Sequence, residues 1–268
     1  MTKTILITGA TDGIGLATAR AIAALGHTVL LHGRNSEKLN AVQMDLTRSG
    51  QVGPVHSYVA DLSRMEEVEN LARTVADNHQ SLDVLINNAG VYETPVTRTV
   101  DGLDTRFAVN TFAPYLLTRR LWTLLSTAKG SRVVNLSSAA QSPVQIDALL
   151  GKSTLSAGAA YAQSKLALTM WSSEMALASD GEGPTVIAVN PGSMLGSKMV
   201  KQAFGVAGGD ISQGADILVC AALSGEFAEA DGKFFDNDTG KFASPHPDAQ
   251  DRGKSKAVMD AIDGFLAK

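Results

Sequence analysis

Thr4-Ile5-Leu6-Ile7-Thr8-Gly9-Ala10-Thr11-Asp12-Gly13-Ile14-Gly15 is the stretch that decides how the chain is read. A short apolar run, Thr4–Thr8, passes at once into three spaced glycines and then into the helix-period segment Ile14–Leu25. Gly9 permits the tight turn out of a strand, Gly13 lets backbone approach a ligand, and Gly15 lets the helix sit close to the sheet. A helix starting here presents free N–H groups and its positive dipole end, which suits a pyrophosphate. Thr11, Asp12 and Ile14 belong to the same turn. Such glycines say little alone; between a strand and an amphipathic helix they point to a dinucleotide site.

Outward from this turn the strand–helix rhythm repeats. Strands are expected at Thr28–His32, Val55–Val59, Val84–Asn87, Arg132–Leu136, Thr185–Asn190 and Lys233–Phe235, with helical segments Ser36–Ser49, Met65–Asn78 and Gly102–Thr127 among them. Alternation of this kind gives βαβ units and a parallel sheet. Ile5-Leu6-Ile7 and Val84-Leu85-Ile86 are apolar throughout, as strands covered on both faces are. No linker and no repeat divides the chain. The expectation is one doubly wound α/β domain, with 1–130 mainly its cofactor half and 131–268 its catalytic and substrate half. Ala139–Gly158 and Gly192–Gly209 break the rhythm and read as binding loops or lids. Ala257, Val258, Ala261, Ile262, Phe265 and Leu266 predict a packed C-terminal helix.

Composition narrows the function classes. The 268 residues carry 23 Lys+Arg against 27 Asp+Glu, a formal charge of −4, and 44% are hydrophobic. That excludes a disordered chain. Basic residues are scattered, so no nucleic-acid footprint is expected. No run reaches the roughly 18 apolar residues of a membrane span, and no signal core is seen, so the cytosol is the expected compartment. The single Cys220 excludes an internal disulfide and a thiolate zinc cluster; within Ile217–Leu223 it reads as a small buried hydrophobe. Phe235–Gly240 reads as a solvated acidic turn, not a calcium loop, and no metal site is indicated.

Cofactor choice is read after the second strand, in Leu30-Leu31-His32-Gly33-Arg34-Asn35. A site for free ribose hydroxyls usually has a carboxylate here, about twenty residues past the glycines. None occurs until Glu37. Arg34, with Asn35 beside it, suits a 2′-phosphate and can stack on adenine, so NADP(H) is expected over NAD(H). His32 reads as a strand side chain rather than a ligand.

The candidate chemistry lies further on. Tyr161 and Lys165 stand four apart and share one helix face. A nearby ammonium favours the phenolate, which would fit Tyr161 to exchange a proton with a carbonyl or hydroxyl oxygen. Val133–Ser138 reads as a strand ending in two hydroxyls, and Val84-Leu85-Ile86 leads into Asn87-Asn88-Ala89-Gly90. Strand C-termini in a parallel sheet face the ligand crevice. Asn110 is a polar residue inside a long apolar helix and needs partners.

Together these pieces resemble the short-chain dehydrogenase/reductase family. The resemblance runs from Thr8 to about Phe235 and rests on TGATDGIG at 8–15, Asp61-Leu62, NNAG at 87–90, Asn110, Ser138, Tyr161 with Lys165, and Pro191-Gly192. It implies a Rossmann-type fold with a seven-stranded parallel sheet and oxidoreduction of a small carbonyl or alcohol. It implies Asp61 and Leu62 at the adenine, and Asn88, Ala89, Gly90, Pro191 and Gly192 around the cofactor. It places Lys165 also on the ribose, Ser138 rather than Ser137 on the substrate oxygen, and Asn110 in a water relay to Lys165. A homodimer or homotetramer is implied as well. Trp122 and Trp171 sit on helices that pair subunits in the family, and read equally as interface or core. Two features depart from the usual pattern. Tyr161 follows Ser138 by 23 positions, a longer interval that looks like the retinol-dehydrogenase-like branch. The insert Gln141–Gly158 carries Ile146, Leu149, Leu150 and Leu155, which could wall an apolar pocket or meet a neighbouring subunit. The position that often holds a carboxamide-binding Thr is Gly196, and Ser197 is the candidate to replace it. The alternative reading is a non-catalytic NADP(H)-binding sensor or scaffold, a class that usually lacks the Tyr or the Lys.

Overall fold

The computed structural model describes residues 2–48 and 53–267; the expected helix end at Ser49 lies outside them. The first half alternates β1 (Thr4–Ile7), α1 (Gly13–Ala24), β2 (Thr28–Gly33), α2 (Ser36–Arg48), β3 (Val55–Val59), α3 (Met65–Asn78) and β4 (Val84–Asn87). Then come α4 (Thr105–Phe107), a π-helical turn (Ala108–Phe112), α5 (Ala113–Ser126), β5 (Arg132–Leu136), α6 (Ile146–Leu149), α7 (Ala157–Ser179) and β6 (Thr185–Asn190). The chain closes with α8 (Lys198–Phe204), α9 (Ser212–Leu223), β7 (Phe234–Asp236), β8 (Lys241–Ala243), α10 (Pro247–Gln250) and α11 (Arg252–Leu266).

The sheet order is β3-β2-β1-β4-β5-β6-β7-β8, parallel through β7. Strand order reverses between β1 and β4, which opens a crevice at their C-terminal ends. The central strands are mostly apolar because their alternate residues serve different layers. Leu6, Leu30, Leu85, Val133 and Val186 join the core with residues of α3, α5, α7 and α11. Ile5, Ile7, Leu31, Ile86, Val134 and Val189 join the other, with residues of α1, α2 and α9.

Several local expectations are corrected. An eighth strand, β8, pairs antiparallel with β7. The acidic turn between them is not merely solvated: Asn190 donates to Asp236 at 2.8 Å and to Asp238 at 2.9 Å, and the Ser193 N–H donates to Asp238 at 2.7 Å. Burial is the largest single effect on the Asp238 carboxyl and raises its pKa, but hydrogen bonds from the Ser193 hydroxyl, the Ser193 N–H and Asn190 together outweigh it and hold the carboxyl below its ordinary range. The expected helix 102–127 starts at Thr105, because Gly102 turns the chain with φ 83°. Cys220 is half-buried at the edge of α9, with its thiol 3.8 Å from Glu226. Leu218, Ala221 and Ala222 take the buried face of α9 instead.

Trp171 is core: it is fully buried, with its ring 5.4 Å from that of Tyr115. The insert 141–158 also folds onto its own domain. Ala148 and Leu149 enter the core, with Val144, Ile146 and Leu155 packed against it. α11 packs on α7 and reaches the π-helical turn and α5: Phe265 meets Phe112 at 5.2 Å, and Tyr115 donates to Asp263 at 2.7 Å. Among the described residues, no helix is long and apolar enough to cross a membrane, and no cluster of three His, Cys, Asp or Glu could hold a metal.

Candidate active site

The glycine turn is built as its sequence predicts. Gly9 has φ 67° and Gly13 φ 57°, left-handed values that favour glycine. A Cβ at Gly15 would lie 2.3 Å from Asn88 Nδ2 and 2.4 Å from the Gly9 carbonyl. Asp12 caps α1 by accepting from the Gly13 N–H at 2.8 Å. Asn88 supports the turn from β4, donating to the Thr8 carbonyl at 2.8 Å and the Gly9 carbonyl at 3.1 Å. The Ala89 N–H donates to the Thr8 hydroxyl at 3.0 Å. Across the cleft, Ile211 and Ser197 are the groups nearest a Cβ built on Gly13, at 3.7 and 3.9 Å.

β2 delivers the residues expected at the adenine. Gly33 packs under Thr11, whose methyl would stand 2.7 Å from an added Cβ. Arg34 is exposed, and no carboxylate pairs with it among the described residues. Asn35 caps α2 by accepting from the Lys38 N–H at 2.8 Å. Asp61 accepts from the Ser63 N–H at 3.0 Å, and its own N–H donates to Glu67 at 2.6 Å. Leu62 is buried in the core.

β5 leads directly into Ser137 and Ser138, which differ in burial. Ser137 is buried and shares a 2.6 Å hydrogen bond with Thr169. Ser138 lies close enough to Tyr161 for its hydroxyl to act on the phenol in the lowering direction, and that hydroxyl accepts from the Ala140 N–H at 3.1 Å. Tyr161 and Lys165 share one face of α7, with Lys165 Nζ 5.7 Å from the Tyr161 ring centre. Burial pushes the phenol above its ordinary 10, Ser138 acts in the lowering direction, and Tyr92 adds to the rise. The phenol is therefore not lowered here as the nearby ammonium suggested. Burial brings Lys165 down to about 8, and its ammonium is already engaged, donating to the Leu136 carbonyl at 2.7 Å. Gly90 leaves room beside this pair: an added Cβ would lie 3.4 Å from Lys165 Nζ and 3.5 Å from Asn110 Oδ1.

Asn110 is fully buried within the π-helical turn. Its amide accepts from the Val91 N–H at 2.8 Å and donates to the Val91 carbonyl at 3.0 Å and to Ser164 at 2.9 Å. Ser164 in turn donates to the Tyr161 carbonyl at 2.7 Å. Asn110 thus ties the segment after β4 to the helix that carries Tyr161 and Lys165.

Some contributors give no local sequence signal. Gln141 donates to the Ser138 carbonyl at 2.9 Å and accepts from the His246 N–H at 3.1 Å, fixing the loop after β5. Arg106, buried and paired with Asp104, donates to the Tyr92 carbonyl at 2.8 Å. Tyr92 then sits 5.0 Å from the Tyr161 ring and 5.5 Å from the ring of Phe204, at the end of α8. Pro191 is held by Asn237, which donates to its carbonyl at 2.9 Å. Gly192 follows with φ 124°. Ser197 uses its hydroxyl to cap α8, accepting from the Val200 N–H at 3.2 Å.

Residues 3–208 match the family model described as short chain dehydrogenase. The chain belongs to the short chain dehydrogenase family. It is 31% identical over 266 residues to retinol dehydrogenase 13 of Homo sapiens, covering 93% of this chain and 80% of that protein. Other curated relatives match over less of their length: the region shared with retinol dehydrogenase 12 of Bos taurus, 35% identical, covers 75% of this chain and 64% of that one. Among solved structures, a short chain dehydrogenase from Escherichia coli CFT073 complexed with NADPH superposes with a TM-score of 0.72 at 26% identity, covering 88% of this chain and 96% of that one. The chain is thus an oxidoreductase of this family, retinol-dehydrogenase-like in sequence.

Proposed function

We propose that the protein interconverts a carbonyl and an alcohol using NADP(H), and acts in the cell as a carbonyl reductase. The observation that carries this reading is the meeting of Ser138, Tyr161 and Lys165 at the sheet's C-terminal edge, beside Gly90. The glycine turn fits a dinucleotide, since side chains at Gly9 and Gly15 would strike the turn or its Asn88 support. The exposed Arg34 at the end of β2 favours a 2′-phosphate. The relative crystallised with NADPH supports the same choice.

A bound nicotinamide supplies or accepts the hydride. Ser138 holds the substrate oxygen and stabilises the charge that develops on it. Tyr161 gives its proton to that oxygen in reduction and takes it back in oxidation. Its phenol, raised by burial, remains protonated for reduction at neutral pH. Lys165 supplies positive charge beside the phenol and would hold the ribose of a bound dinucleotide, while Asn110 fixes the position of its helix relative to Val91. Tyr92 and Phe204 make the substrate side aromatic. That surface, and a curated relative named a retinol dehydrogenase, favour an apolar carbonyl or alcohol.

The test is NADPH oxidation over aldehydes, ketones, quinones and steroids, with KM compared for NADPH and NADH before and after Arg34→Asp. The wild type is expected to turn over apolar carbonyls with lower KM for NADPH, and the variant to lose about tenfold or more of that preference. NADPH binding without turnover on any substrate would favour the sensor reading. Equal use of both cofactors, unchanged by the variant, would end the NADP(H) assignment.

A further inference from the structure

We propose that His32 is a positioning residue for the dinucleotide, its ring fixing the glycine turn against the segment that leads to Asp61. The proposal rests on the cofactor reading above and concerns a residue with no part in the chemistry.

His32 lies near the end of β2 and is 3% exposed. The Gly9 N–H donates to His32 Nδ1 at 3.2 Å, so that nitrogen carries no proton. The ring must then be the Nε2–H tautomer, which donates to the Ala60 carbonyl at 3.0 Å. One neutral imidazole thus spans three chain segments. Gly9 opens the pyrophosphate turn, Ala60 immediately precedes Asp61, and Arg34 lies two residues beyond His32 itself. Backbone bonds follow the same route: the Ala10 N–H donates to the His32 carbonyl at 2.9 Å, and the Ala60 N–H to the Gly33 carbonyl at 3.3 Å.

These anchors are not interchangeable. Asn88 holds the carbonyls of Thr8 and Gly9, whereas His32 supplies the acceptor for the Gly9 N–H. That N–H leads directly into a turn with φ 67° at Gly9. Removing the acceptor frees the turn to rotate and releases Ala60 at the same time. Ser138, Tyr161 and Lys165 do not touch the ring, so the loss falls on cofactor affinity.

The experiment measures the NADPH Kd by fluorescence titration for wild type, His32→Leu, His32→Asn and His32→Gln, each well below its own melting temperature. Asn can offer an oxygen near the Nδ1 position; Gln can reach Ala60 but leaves Gly9 without an acceptor. His32→Leu is expected to weaken binding at least about tenfold, with His32→Asn recovering to within about threefold of wild type. A merely structural residue would lower the melting temperature without this pattern of rescue. His32→Leu within twofold of wild type, or Asn no better than Leu, overturns the assignment and leaves the cofactor reading intact. If His32→Leu does not fold, Asn binding at least about tenfold more tightly than Gln supports the proposal and equal binding overturns it. A wild-type protein that binds neither NADPH nor NADH overturns both readings.

Discussion

On the glycine-turn side of the cleft, Gly9 is held through its N–H by His32 and through its carbonyl by Asn88, while the Thr8 hydroxyl holds Ala89. On the opposite side, α8 buries none of its seven residues. It reaches the body through Phe204 on Tyr92 and through a backbone bridge between Leu195 and Gly209. One side is fixed by bonds from three strands; the other rests on a few contacts. In the proposed function the first wall would hold the cofactor, whose shape is constant, and the second would face substrates, which differ.

The sharpest way to break this division is at the residue between the two walls. Tyr161→Phe should lower kcat by about 10³-fold while NADPH affinity, measured by fluorescence, stays near wild type. Retained turnover would remove the phenol from the mechanism. The rigid wall can next be probed with acid. His32 is lowered from 6.5 to about 4, mainly by burial. Its neutral form contributes stability in full above pH 6.5, and about 3 kcal/mol is lost as the pH falls toward 4. Urea unfolding at steps from pH 7 to 4 should therefore show a steeper decline for wild type than for His32→Asn; parallel curves would refute it.

Gly15→Ala should cost about 1–3 kcal/mol, because its Cβ would press on Asn88 and the Gly9 carbonyl. Calorimetry should show the lower melting temperature, together with weaker NADPH binding. An unchanged protein would mean that the turn yields more easily than its bonds suggest. The smallest stability effect belongs to the loose wall. Phe204 is 50% exposed, so Phe204→Ala should change stability by no more than about 1 kcal/mol while raising KM for an apolar substrate. A large loss of stability with unchanged KM would make α8 part of the scaffold.

The rigid wall was also the more legible one. Its glycines, strand and capping Asp12 lie within one short stretch, where local geometry restricts the residue choice. Tyr161 and Lys165 were legible for the same reason, being one helical turn apart. Partnerships across the chain were not. Gln141 meets His246, Arg106 meets Tyr92, and His32 meets both Gly9 and Ala60, pairs that periodicity cannot reveal. β8 has no signal in its own residues, Lys241-Phe242-Ala243; pairing with β7 and the ring of Phe235, 5.2 Å from Phe242, make it a strand. The spacing to Lys165 alone predicts a lowered Tyr161 phenol; burial, which depends on distant segments and leaves no local pattern, raises it instead.

The bridge at the foot of α8 has an engineering consequence. The Gly196 N–H donates to the Gly209 carbonyl at 2.7 Å and the Gly209 N–H to the Met194 carbonyl at 2.8 Å, and Gly208 lies too close to Gly196 for a side chain. Two ends clasped in this way behave as a socket. Segments of different length and composition can be grafted between them, so 197–207 is the natural place to exchange sequence when a new specificity is wanted on an unchanged catalytic frame.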